Sequence, residues 1–168
     1  DNGETDFVRS SELVVIKGLL NYNRFEAVVT AKKPLAYVFS GRFKEVAQKL
    51  RQHGIPVEVL SSDRLFLGEA YMVDEVTKQS FVQNNHRNSL LIGKFVSTER
   101  TFGAGDFYVP MNHRLANLAF YLLEPQADDG LAYWNFFDSA LEKELESGSR
   151  AELENSNPLE YPVFKVFP

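Results

Sequence analysis

A chain of 168 residues has room for one domain, or one domain with a tail, and at that size buries roughly 70% of its unfolded surface, so it needs no staple to fold. With no cysteine, disulfides, thiolate zinc sites and cysteine nucleophiles are excluded. The formal charge of −5, with 18 Lys and Arg scattered among 23 Asp and Glu, argues against a binder of nucleic-acid phosphates, and no apolar run reaches the ~18 residues of a membrane span.

Phe occurs 14 times and Tyr 7 times, and a β-rich core is the natural sink for so many rings. The opening residues 1–12 (DNGETDFVRSSE) are polar and turn-prone and read as a linker or disordered terminus, with a single domain over 13–168. The start at Asp1-Asn2-Gly3, without Met or a signal-like segment, suggests a piece of a longer or processed product.

LVVIKGLLNY (13–22) reads as a short strand, interrupted by Lys17 and Gly18. FEAVVT (25–30) and PLAYVFS (34–40) read as two more strands around a Lys32-Lys33-Pro34 turn. Phe43, Val46, Ala47 and Leu50 then follow helical spacing, with Ser40 as N-cap and Gly54 as the stop. IPVEVL (55–60) returns to strand, which makes 34–60 a βαβ-like unit.

From Asp63 to Pro110 the runs LFLGEAYMVDEV (65–76), SLLIGKFVST (89–98) and RTFGAGDFYVP (100–110) predict antiparallel strands, with turns at FVQNNHRN (81–88) and Gly103 to Asp106. Leu115, Leu118, Ala119 and Leu122 restore a helical stripe, N-capped by Asn112 and stopped by Pro125. Ser139 and Glu142 have capping-box spacing, so a further helix is expected over 139–147, ending at Gly148. YPVFKVFP (161–168) closes the chain as a strand. These elements predict an α+β fold with a mixed or antiparallel sheet core and about three helices packed on it.

Chemistry has few footholds. His53, His86 and His113 lack a His, Glu or Asp three or four positions away, and no H-x-x-E, H-E-x-x-H or G-x-S-x-G pattern occurs. Gly103-Ala104-Gly105 lies between strands and lacks the third glycine and helix of a dinucleotide fingerprint. No catalytic residue and no metal ligand is therefore assigned in this chain.

The acids Glu124, Asp128, Asp129 and Asp138 sit within fifteen residues and could supply a glycosidase pair, but they also fit a helix stop, an Asp-Asp-Gly turn and a helix cap. Tyr133, Trp134, Phe136 and Phe137 could form a stacking platform, with Tyr108 or Tyr71 as further rings, or bury around Trp134 as core. The candidate binding residues are accordingly Trp134, Tyr133, Asp128, Asp129 and Glu124.

LANLAFYLLEP (115–125) followed by DDGLAYWNFFD (128–138) resembles the segment downstream of the catalytic domain in bacterial zinc carboxypeptidase-like proteins, the carboxypeptidase A type of metallopeptidase. PLAYVF (34–39), HGIPVEVL (53–60), AGDFYVP (104–110) and YPVFKV (161–166) extend the resemblance from about residue 25 to the end. That family binds zinc through an H-x-x-E pair and a later histidine, holds the substrate carboxylate with arginine and uses a glutamate as general base. None of those motifs falls on this chain.

The resemblance thus implies a non-catalytic C-terminal accessory domain, with the hydrolase chemistry and the zinc in a preceding peptidase domain. It also implies that peptidase domain as partner, with a peptide or cell-envelope ligand possible, and an extracytoplasmic location, periplasmic or secreted. From the residues alone, a free-standing carbohydrate- or peptide-binding module using exposed aromatics stays open beside it.

Overall fold

The computed structural model describes residues 11–20, 26–27, 29–141 and 159–168. The chain divides into two units, Asp1–Thr30 and Ala31–Pro168. In the first, the strand expected over 13–22 does not form across residues 13–20: these make no ladder, turn at Lys17-Gly18 and leave Leu13 94% exposed. Residues 26–27 and 29–30 are not strand either, and residues 1–10, 21–25 and 28 lie outside the described set.

The second unit is built on one six-stranded sheet, ordered β2-β5-β1-β6-β3-β4, with every pairing antiparallel. Its strands are β1 (Ala36–Phe39), β2 (Glu58–Val59), β3 (Arg64–Lys78), β4 (Ser89–Phe102), β5 (Phe107–Pro110) and β6 (Val163–Val166). The all-antiparallel sheet and its helices form the α+β architecture that the alternation of strand and helix periods predicts.

Strand β1 is buried along its whole length, as the unbroken apolar run AYVF requires of a strand covered on both faces. The long β3–β4 hairpin turns at Gln83 to His86 and carries a bulge between Val73 and Glu75. Gly68 lets it join the rest: a Cβ there would stand 1.8 Å from the Lys165 carbonyl oxygen, so only glycine fits where β3 meets β6.

Helix α1 (Lys44–Gln52) turns Val46, Ala47 and Leu50 onto the sheet. It ends as expected at Gly54, whose φ of +77° is readily adopted only by glycine. The Gly54 N–H donates to Arg51 O (2.9 Å) and the Ile55 N–H to Leu50 O (3.0 Å), the paired bonds of a Schellman motif. The start differs from expectation. Ser40 is not the N-cap; its hydroxyl accepts the Arg42 N–H and helical geometry begins only after Phe43.

Helix α2 (Ala116–Leu123) likewise begins after Leu115 rather than at Asn112. His113 Nδ1 accepts the Leu115 N–H at 3.1 Å, doing locally what an Asn cap would have done. Its end is as predicted: Glu124, before Pro125, turns extended with ψ of 135°. A third helix, α3, is described over 138–141; Glu142, Leu145 and Gly148, which were expected to complete it, lie outside the described residues.

The βαβ reading of 34–60 needs correction. Strands β1 and β2 run in the same direction but are not neighbours, because β5 from fifty residues downstream inserts antiparallel between them. Nothing within 34–60 encodes that insertion. One sheet face, with Tyr37, Phe39, Tyr71, Val109 and Val163, packs into the main core with α1, α2 and the 131–141 segment. The other carries a smaller cluster around Val38, Phe66, Ala70, Phe102 and Phe164.

Candidate functional site

Each acid of 115–138 has a partner. Helix α2 delivers Glu124 to the core, where it is 6% exposed and its Oε1 lies 2.8 Å from Nζ of Lys165, itself 1% exposed. The contact is a Coulombic approach without the angles of a directed hydrogen bond. The Tyr37 hydroxyl donates to the same oxygen, and burial together with that carboxylate holds the Tyr37 pKa well above the tyrosine range. Lys165 Nζ also sits 4.3 Å from the Phe95 ring centre. Tyr161, raised in the same direction chiefly by burial, donates to Leu123 O at 3.2 Å.

Asp138 does not stand as a free acid either. It accepts from Lys78, from Ser89 Oγ at 2.9 Å and from Asn135 Nδ2 at 2.9 Å. Asn135, at φ +70°, also donates to Arg87 O and Ser89 Oγ, both at 3.0 Å. The Ser89 N–H reaches Tyr133 O at 3.0 Å. This lattice clamps the hairpin end onto the turn-rich segment 128–138.

Asp128 accepts the Tyr121 hydroxyl, which pushes that pKa up to about 12, and Asp129 accepts the Trp134 Nε1–H. Of the two readings of the ring cluster, core and stacking platform, burial as core holds for two of its rings. Phe137 and Tyr133 are buried, Tyr133 donating to Gln79 Oε1 at 3.2 Å, while Trp134 is half-buried. Tyr71, proposed as a contact ring, is instead 1% exposed and packed on Phe95 and Tyr161, because it stands on the core face of β3. Tyr108 stacks on Phe66 on the opposite face of the sheet.

The half-buried Trp134 borders a groove of about 480 Å³ lined also by Lys49, His53, His86, Leu122, Asp129, Leu131 and Phe136. The His86 ring meets the indole edge-on with centres 5.7 Å apart, and its Nδ1 lies 3.2 Å from Asn135 Oδ1. Lys49 Nζ stands 5.9 Å from the Phe136 ring centre. Trp134 and Asp129, singled out in the sequence, are thus brought together at the groove; Asp128 pairs beside it, Tyr133 is buried and Glu124 lies in the core.

Sequence reasoning missed Lys49, His53 and His86 as lining residues, having weighed the histidines only as metal ligands. It also missed Lys165, although a lysine two residues after Val163 on an apolar strand shares that residue's inward face, which is a readable signal. Among the described residues no three His, Asp or Glu side chains stand together as a metal site, and no helix is long and apolar enough to cross a membrane. Compared with protein-family models, with curated proteins and with solved structures, the chain finds no match.

Proposed function

We propose that this chain is a non-catalytic accessory domain of a zinc carboxypeptidase-like protein, lying C-terminal to the peptidase domain and acting by contact with that domain or its ligand. The observation that carries this reading is the Tyr37–Glu124–Lys165 cluster. Its members come from PLAYVF, LANLAFYLLEP and YPVFKV, fragments on which the family resemblance rests, and they meet as one buried structural unit. Residues from three fragments of the resemblance therefore serve the fold. Glu124, Asp128, Asp129 and Asp138 each serve a structural partner, which favours contact over acid–base chemistry.

In this reading zinc belongs to the peptidase domain of the parent protein, and the whole is exported to the periplasm or the cell exterior. The test has two parts. The purified chain, supplied with zinc, is assayed for release of C-terminal residues from peptides, with zinc content measured alongside. It is then titrated with a separately produced carboxypeptidase A-type peptidase domain whose own protein continues into an LANLAFYLLEP-type segment. The expected outcome is no hydrolysis and saturable association. Hydrolysis with zinc bound one to one would refute the reading.

A second reading, a free-standing carbohydrate- or peptide-binding module, is favoured by one observation: the half-buried Trp134 presents part of its ring to a groove. Strongly blue-shifted emission that resists a soluble quencher would rule it out.

A further inference from the structure

We infer that the groove beside Trp134 is a binding site for a small monoanionic carboxylate with an aromatic body. The chemistry of its wall divides in two. Leu122, Leu131, Phe136 and Trp134 give it apolar and aromatic surface, suited to a flat ring. On the α1 side Lys49 and His53 bring the donors: Lys49 has no carboxylate partner among the described residues, and its Nζ stands 5.9 Å from the Phe136 ring centre. A volume of about 480 Å³ falls in the range of small-molecule sites.

Charge narrows the ligand. Among the described residues Lys49 is the only permanent cation that lines the groove, and Asp129 lines it as a carboxylate already occupied by the Trp134 Nε1–H. One lining cation beside a carboxylate whose oxygen already accepts the indole N–H suits a single negative charge that can reach the lysine. A phosphate dianion would meet repulsion from Asp129 with too few cations to offset it. A neutral sugar would use the ring but leave Lys49 unengaged.

The groove is also held in shape before any ligand arrives. Trp134 is fixed by Asp129 and by the edge of His86, and His86 is anchored through Asn135 to the clamp that includes Asp138 and Ser89. A pre-ordered site loses little conformational freedom on binding. The inference stands whether the domain works beside a peptidase domain or alone.

Trp134 is the single tryptophan of the chain, so its emission reports on this groove alone. The full chain is titrated with N-acetylphenylalanine and, separately, with N-acetylphenylalaninamide, which differs only in lacking the charge. The acid is expected to change the emission saturably with a dissociation constant of about 1 mM, and the amide to bind about tenfold more weakly. Lys49→Gln is expected to erase the difference between acid and amide, and Lys49→Arg to restore it; circular dichroism of both variants controls for folding.

Equal titrations by acid and amide would overturn the inference, as would no saturable response to the acid or a stronger response to cellobiose. Association with a peptidase domain is measured on the same samples. Loss of the carboxylate preference with association intact defeats the groove assignment alone, whereas the preference without association defeats the accessory-domain reading alone.

Discussion

Lys165→Met removes the cation that faces Glu124 while keeping most of the side-chain volume that packs against Phe95 and Phe120. At 2.8 Å and an effective dielectric of about 20, the attraction lost is about 6 kcal/mol. The desolvation of two ions opposes most of it in the native protein. The measured loss should therefore reflect the uncompensated carboxylate left behind, about 3–5 kcal/mol. Glu124→Leu combined with Lys165→Met removes both charges but strands the Tyr37 hydroxyl; adding Tyr37→Phe should bring the triple variant back to within about 1–2 kcal/mol of the parent. Urea unfolding, followed in parallel by Trp134 emission and far-ultraviolet circular dichroism, measures all the variants on one scale. A cost below about 1 kcal/mol for Lys165→Met, or a triple variant no more stable than the single, would refute the reasoning.

Alkaline pH probes the same core. Tyr37, Tyr161 and Tyr71 all titrate above their unfolded value in the folded chain, Tyr71 at about 12, each chiefly through burial. Their contribution is fully present below about pH 10 and is lost above it, as unfolded tyrosines ionise and folded ones resist, with a slope on the order of 1 kcal/mol per pH unit for each. Denaturation midpoints between pH 8 and 11.5, roughly, should stay flat and then fall; tyrosinate absorbance appearing before unfolding for these side chains would contradict this. Gly68→Ala should prevent β3 from seating on β6 and destabilise by at least about 3 kcal/mol, read from the same unfolding curves, since the new methyl meets backbone on β6. Asp138→Ala should free the hairpin end, costing about 2 kcal/mol and raising amide exchange at Ser89, with the Trp134 emission shifted to the red.

Local pattern is enough for elements whose information lies within a few residues. The face of α1 and its stop at Gly54, the end of α2 before Pro125, the β3–β4 hairpin and the presence of a last strand all follow from spacing and turn chemistry. LVVIKGLL misled because β propensity needs a partner strand to become a strand, and residues 13–20 pair with none. Ser40 and Asn112 misled because capping residues mark turns as readily as helix starts.

The candidate site divides in the same way. Glu124-Pro125 as a stop and Asp128-Asp129-Gly130 as a turn were legible, and Trp134 stood out as the single indole. That Glu124 would find Lys165 was not, since the two are far apart in sequence and neighbours only after β6 slots between β1 and β3. Nor could spacing place Lys49 and His53 of α1 beside His86 of a hairpin and Trp134 of a later turn.

The sequence by itself determined the type of most elements from residue 34 onward, the α+β class and the absence of thiol chemistry, because periodicity, turn residues and composition are properties of neighbouring positions. Tertiary structure alone decided the strand order that inserts β5 between β1 and β2, the burial of an ion pair and the makeup of the groove, because those depend on which distant faces meet when the apolar surfaces close.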